Sequence, residues 1–471
     1  MFASFSAWSL RGRGPVRLTA GAVVCGLAVT GVMVAGAGQA AADEATPRQG
    51  GATATIGGLK TFGAAVIRMD SGDQQVSAGL FEMSVEGGGM LQTYCVDIHT
   101  PTQKDAKYHE APWSSTSLGV NDDAGRIRWI LQNSYPQVND LAALAKKAGV
   151  RGALTEQDAA AGTQVAIWRY ADDVTVDAVD PQAEQLADYL EKSARDLTEP
   201  RASLTLHPPA VSGRPGERVG PVTVRTNARS VTVAPQASAA QDEVRLVDKN
   251  GEPVTEAVNG SQVFFDVPED AAPGTARLTA QASTTVPVGR AFASESRSQT
   301  QILAGSSEST VSATASATWA EEGALPAVSA RENCAKGGVD ITASNRGDAP
   351  FTFEVVGQKH TVAAGASRTV TVPLSEDTPY DFTVTGTDGF EQRFTGMLDC
   401  LTRAAETGTT AQTYHAPSPT PLGGAPADNT NLAATGSSSA TPWIAGTAIG
   451  LVVLGGAGLV IARRRETPPG D

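Results

Sequence analysis

The most reactive side chains in this 471-residue sequence are its four cysteines, Cys25, Cys95, Cys334 and Cys400. Cys334 and Cys400 bracket a compact run of alternating apolar residues, and two such cysteines in an oxidising compartment are expected to pair. Closing so long a loop is worth about 4 kcal/mol in the chain-entropy view of a disulfide. Cys25 falls in an apolar N-terminal run that is expected to be removed on export, which leaves Cys95 without a partner. Several chemistries are open to such a thiol. It can be a small buried hydrophobe, or a nucleophile served by a nearby base. His99 follows four residues later, and on an extended strand both side chains would share a face, where the imidazole accepts the thiol proton or assists an incoming amine. Cys95 with His99 or His109 would then be the dyad of a cysteine hydrolase or a transglutaminase-like enzyme, although no recognisable cysteine-protease signature surrounds them.

The elements that must position Cys95 are legible around it. Residues 91–102 read as a strand running into a turn. Residues 123–134 place Ile127, Ile130 and Leu131 on one helical face and stop before Pro136. Thr155-Glu156-Gln157-Asp158 is a capping-box pattern that opens a helix running towards Tyr170. Asp180-Pro181 caps another, whose stripe of Leu186, Leu190, Ala194 and Leu197 predicts a helix through that last residue. From residue 202 the helical spacing gives way to short alternating strands, with Asn250-Gly251 and Asn259-Gly260 as hairpin turns. A mixed α+β domain over residues 50–201 is therefore expected, followed by β-sandwiches over 202–304 and 328–401. Residues 306–322 read as a last strand or a linker.

Tyr94-Cys95-Val96-Asp97, followed by Thr163-Gln164-Val165-Ala166, resembles the paired signatures of bacterial thioester domains, also called TQxA domains, on Gram-positive surface proteins. The resemblance covers about the first 150 residues after the N-terminal segment. It implies that the Cys95 sulfur attacks the Gln164 carboxamide, ammonia leaves, and an internal thioester joins the two residues. A thioester resists water moderately yet yields to amines, so a buried one is a stored acyl donor. Forming it from an amide requires a fold that holds sulfur and carbon in contact and excludes water. Ala160, Ala161, Ile167 and Trp168 share the helix side of Gln164. The alanines would admit the strand bearing Cys95, and Trp168 would shield the bond; ordinary core packing explains the same stripe.

The two ends of the chain resemble addresses. Residues 1–42 combine a basic start, an uncharged apolar run and the small residues Ala40-Ala41-Ala42, as in a secretory signal peptide; an N-terminal membrane anchor is the alternative. Residues 403–431, rich in Pro, Thr, Ala and Gly, read as a disordered wall-spanning linker. Leu432-Ala433-Ala434-Thr435-Gly436, an apolar segment over residues 443–462 and Arg463-Arg464-Arg465 together resemble a sortase sorting signal with a transmembrane helix and a basic stop. Ala433 stands where the most familiar version has proline, a variant resembling substrates of the sortase class of high-GC Gram-positive bacteria. By that resemblance a sortase cuts after Thr435 and joins it to peptidoglycan, and the chain meets the membrane only before sorting.

The formal net charge is −14, and setting aside the six terminal arginines with Glu466 and Asp471 leaves 30 basic against 48 acidic residues. Such a body repels nucleic acid and anionic lipid. No metal site, nucleotide loop or cofactor is expected. The expected fold is multidomain: a mixed α+β thioester domain, two all-β immunoglobulin-like sandwiches, a linker and the sorting helix. The expected function is a wall-anchored surface protein that captures an amine-bearing partner covalently in a single turnover rather than by enzymatic cycling. A passive structural stalk and a cysteine-dependent acyl-transfer enzyme are the alternatives.

Overall fold

The computed structural model describes residues 50–236 and 244–401. The expected signal peptide over 1–42, the linker over 403–431 and the sorting signal over 432–471 lie outside the described residues. Among the described residues no helix is long and apolar enough to cross a membrane.

The chain opens with β1 (Thr53–Ile67), β2 (Gln74–Val85), β3 (Met90–Cys95) and β4 (Lys107–Ala111). Helices α1 (Ala124–Asn133), α2 (Leu141–Ala148) and α3 (Glu156–Ala171) follow, then β5 (Val176–Ala178) and α4 (Pro181–Ser193). The helix starts are set by the expected chemistry. Thr155 and Asp158 complete a reciprocal capping box at α3, and Asp180 accepts from the backbone N–H groups of Gln182 and Ala183 at α4. Helix α2, which apolar spacing alone did not reveal, is capped by Asp140 and closed by Gly149 in the left-handed region. Helix α4 ends one turn earlier than its apolar stripe predicts. Asp196 and Leu197 leave it to lie against Gly125 of α1, where a Cβ would meet the Leu197 carbonyl at 2.5 Å.

A β-rich segment begins with β6 (Leu204–His207), β7 (Ala210–Gly213), β8 (Arg218–Thr226), β9 (Val231–Pro235) and β10 (Arg245–Val247). It continues through β11 (Glu256–Ala257), β12 (Gln262–Asp266) and β13 (Gly274–Thr285). The next two strands, β14 (Ala291–Ser294) and β15 (Gln301–Ser306), leave that layer, and β16 (Glu308–Trp319) returns to it. Strands β13 and β16 form one long antiparallel ribbon, in register from Gly274 opposite Trp319 to Thr285 opposite Glu308. Residues 286–307 are therefore an excursion from the ribbon's end. The sandwich itself comprises a four-stranded sheet β10-β12-β8-β6 and a five-stranded sheet β11-β9-β13-β16-β7.

That excursion corrects the expected boundaries. The first sheet runs β2-β3-β15-β14-β4-β1-β5, and because β2 also pairs with β1, six of its strands close into a ring. Two of the six come from residues assigned by sequence to the first sandwich. Alternation at period two marks a strand but does not name the sheet that receives it. A single continuous core runs from Ala52 to Trp319 across the expected boundary at 201/202. At that seam Glu110, fully buried, accepts from Arg290 Nε at 2.9 Å and from the Ser203 and Ala52 backbone N–H groups at 2.9 and 3.3 Å. A buried carboxylate requires such saturation, so the two layers are joined as one body.

The last segment has its own core around Phe351, Phe353, Val384 and Phe394. Its strands are β17 (Pro326–Asn333), β18 (Gly338–Asn345), β19 (Phe351–Val355), β20 (Gln358–Val362), β21 (Ser367–Pro373), β22 (Thr378–Gly386) and β23 (Glu391–Leu398). They form sheets β17-β18-β21 and β20-β19-β22-β23. Cys334 and Cys400 are joined in a disulfide across 66 positions. This segment folds back on the first. Arg331 donates to Ser114 Oγ at 2.7 Å, Arg297 Nε to the Asp377 carbonyl at 2.8 Å, and Thr300 Oγ1 to Asp399 Oδ2 at 2.9 Å.

Candidate acyl-transfer site

Cys95 is the last residue of β3, and Gln164 lies in the middle of α3. The Cys95 N–H donates to Gln164 Oε1 at 3.0 Å, and Gln164 Nε2 donates to the Cys95 carbonyl at 2.9 Å. The carboxamide is thus pinned to the cysteine backbone at both ends, with Cys95 1% and Gln164 0% exposed. Helix α3 reaches this position through close packing on its other sides. A Cβ on Gly63 of β1 would stand 3.0 Å from the Ala161 Cβ, and one on Gly162 would meet the Ala183 carbonyl of α4 at 2.4 Å. Ala161 thus admits β1, and Gly162 admits α4. Thr163 ties the same turn to α1: its hydroxyl donates to the Ala159 carbonyl at 2.6 Å and lies 2.6 Å from Ser134 Oγ. On the outer face Arg169, 13% exposed at its side chain, reaches Glu184 at 2.7 Å, Asp188 at 2.9 Å and Glu191 at 2.9 Å and clamps α3 to α4.

The sulfur is met by two polar groups that sequence reading did not single out. Gln301 is the cross-strand partner of Cys95, and its Nε2 donates to Sγ at 3.3 Å while its Oε1 accepts from Thr93 Oγ1 at 2.9 Å. Thr102 Oγ1 lies 3.7 Å from Sγ. Gln301 stands 206 positions from Cys95, so no local pattern joins them. Burial pushes the thiol up to about 12, against the bonds from Gln301 and Thr102, and the Asp97 and Asp172 carboxylates push it the same way as burial. At neutral pH the group is a thiol, not a thiolate.

The alternative dyad would need His99 or His109 beside Sγ. Strand β3 ends at Cys95, and Asp97 accepts the backbone N–H groups of His99 at 2.7 Å and Thr100 at 3.2 Å, turning the chain. The same-face argument for His99 needs an extended strand, and none continues there; His99 sits half-buried in the turn, its pKa lowered by burial against the opposing effect of Asp97. Strand β4, which carries His109, lies opposite β3 in the six-stranded ring. Its Tyr108 is fully buried, with the hydroxyl 2.6 Å from Ser298 Oγ, so alternation turns His109 to the other face. Trp168 is 3% exposed, one turn beyond Gln164, and its indole N–H has no hydrogen-bond partner.

The third segment reaches the edge of this site. Residues Ser298, Gln299, Thr300 and Gln301 are all buried, and Thr300 in their midst is held by Asp399. The Asp399 carboxyl is pushed up to about 7, chiefly by burial, and further by Asp97, Asp377 and Glu376.

Residues 92–196 match the model of the family described as Thioester domain, and residues 326–397 match that described as Bacterial phospholipase C, C-terminal domain. Among solved structures the chain is similar to the Bacillus anthracis TIE protein at 17% identity and a TM-score of 0.25, covering 72% of this chain and 63% of that one. It is also similar to the thioester domain of the Enterococcus faecium TIE86 protein, at 15% identity and a TM-score of 0.27, over 57% of this chain and 97% of that one. The thioester domain of the Staphylococcus aureus TIE protein gives 13%, 0.21, 58% and 100% for the same measures. The chain spans less than two thirds of the length of the Bacillus anthracis protein. No curated protein matches. The matched region holds both Cys95 and Gln164, and it is similar to the thioester-domain family.

Proposed function

We propose that this chain is an exported surface protein whose Cys95 and Gln164 join in an internal thioester that captures an amine-bearing partner once and permanently. The observation that carries this reading is the two-ended docking of the Gln164 carboxamide on the Cys95 backbone, with both residues buried. Attack of Sγ on the Gln164 side-chain carbonyl carbon puts negative charge on Oε1, where the Cys95 N–H already donates. Nitrogen leaves as ammonia. An incoming primary amine then adds to the same carbon, the C–S bond breaks, and an isopeptide bond remains. A lysine on a protein partner suits the site, because it offers a primary amine on a long stem, and the acidic body favours a basic partner. The acyl group is consumed in the process, so the chain acts as a single-use coupler and not as an enzyme.

The sorting-signal resemblance extends the reading to the address of the protein. Export through the N-terminal segment, passage through the membrane and transfer of Thr435 to peptidoglycan would leave the chain on the cell wall, with the β-domains as immunoglobulin-like spacers. Thr435→Ala should leave the chain uncut and absent from purified peptidoglycan, and continued covalent wall attachment would exclude a sortase.

Intact-mass spectrometry of the folded chain tests the chemistry. The expected mass is one ammonia below that of the sequence, with methylamine restoring bulk at Gln164 and exposing one thiol at Cys95. Cys95→Ala should show neither change. A full-mass, unlabelled, folded chain would make the protein a passive stalk.

A further inference from the structure

A buried neutral thiol raises a question that the Cys95–Gln164 pair does not answer. Its proton must leave when the thioester forms, and a proton must return to sulfur when an amine opens it. The imidazole of His99 is not among the groups hydrogen-bonded to Sγ, which are Gln301 Nε2 and Thr102 Oγ1. A carboxamide N–H does not exchange protons readily, whereas a hydroxyl can give one proton while taking another.

The hydrogen bonds around Thr102 decide which way its own proton points. Thr102 Oγ1 accepts from Gln299 Nε2 at 2.9 Å and from Gln301 Nε2 at 3.4 Å. A hydroxyl oxygen has two acceptor sites and one proton, so with both sites taken the remaining O–H is left for Sγ. Gln299 and Gln301 are fixed in turn by burial, at 2% and 0% exposed, and by the strand pairing of β15. Two carboxylates near the sulfur hold backbone N–H groups. Asp97 accepts the backbone N–H groups of the turn, and Asp172 accepts the Ile98 N–H at 2.8 Å.

We propose that the Thr102 hydroxyl, oriented by Gln299 and Gln301, is the proton donor to Cys95 Sγ when an amine opens the thioester. The proposal rests on the thioester reading above. In capture, the attacking amine nitrogen bonds to the Gln164 carbonyl carbon and the C–S bond breaks. Sγ takes the Thr102 proton, and Thr102 is replenished by the proton the amine loses. Thr102 is then a catalytic residue in the strict sense, in contact with a reacting atom.

Methylamine incorporation by the full chain, followed by intact mass, tests this. Thr102→Val keeps the shape and deletes the hydroxyl, and should slow labelling by about 10-fold or more, within the range of a lost proton-transfer group. Thr102→Ser should label within about 3-fold of the wild type. Wild-type labelling should be slower in deuterium oxide and the valine variant's should not, a difference that loosened packing alone would not create. Equal labelling of the wild type and Thr102→Val, with the wild type one ammonia light, would overturn this proposal and leave the thioester reading intact. A full-mass wild type that takes no label would overturn both. Should Thr102→Val fail to fold, the absence of any deuterium effect on the wild type overturns the relay by itself.

Discussion

Replacing Gln301 with leucine nearly conserves side-chain volume and deletes a carboxamide that serves three partners around the sulfur. Thr93 Oγ1 loses its acceptor, and Cys95 Sγ and Thr102 Oγ1 each lose a donated N–H. Thr93 is fully buried, so its hydroxyl would be left stranded, at a cost of about 1–3 kcal/mol. The sulfur bond is weaker and Thr102 keeps Gln299, so together they add about 1 kcal/mol. The expected loss is about 2–4 kcal/mol, read as a lower denaturant midpoint at unchanged slope. Adding Thr93→Val removes the stranded hydroxyl and should restore about 1–2 kcal/mol. The thioester should not return with that stability, because the donor to sulfur is still missing. Intact mass under native conditions would therefore show Gln301→Leu, with or without Thr93→Val, at or near the full sequence mass. Two results would refute the reasoning: a midpoint within about 0.5 kcal/mol of the wild type, or complete ammonia loss in the variant.

Two further outcomes follow from the architecture. A fragment of residues 50–201 lacks β14 and β15 and opens the six-stranded ring beside Cys95. It should exchange the amides of Met90–Cys95 rapidly and form no thioester, whereas a fragment through residue 319 should protect both; a folded, ammonia-light 50–201 fragment would show that the ring closure is dispensable. The Asp399 carboxyl, raised to about 7 by burial, keeps its proton in the folded chain long after an unfolded chain has lost it near 3.8. Its contribution to stability therefore falls as pH rises from about 4 to about 7 and is level above that. Asp97 is shifted in the same direction, so Asp399→Asn should flatten this slope without abolishing it. Denaturant midpoints across that pH range measure the effect, and an identical slope in the variant would place the titration elsewhere.

The sequence by itself marked much of the local structure and singled out Cys95 and Gln164 as a pair. Capping residues at Thr155 and Asp180 mark helix starts because they satisfy backbone donors within three positions, and such chemistry is written in adjacent residues. Cys95 and Gln164 were legible through short signatures and through an odd cysteine count, and Cys334 with Cys400 through the segment they bracket. Only the tertiary structure decided what surrounds the sulfur. The turn at Asp97 takes His99 out of the extended line on which its proposed role depended, and the β14–β15 excursion delivers Gln299 and Gln301 from more than 200 positions away. Apolar alternation reports that a strand has two faces, but not which edge it will join. That choice is made by the burial of Glu110 with Arg290, the register of β15 on β3 and the closure of the ring. These are long-range pairings whose energy exists only once the chain has folded.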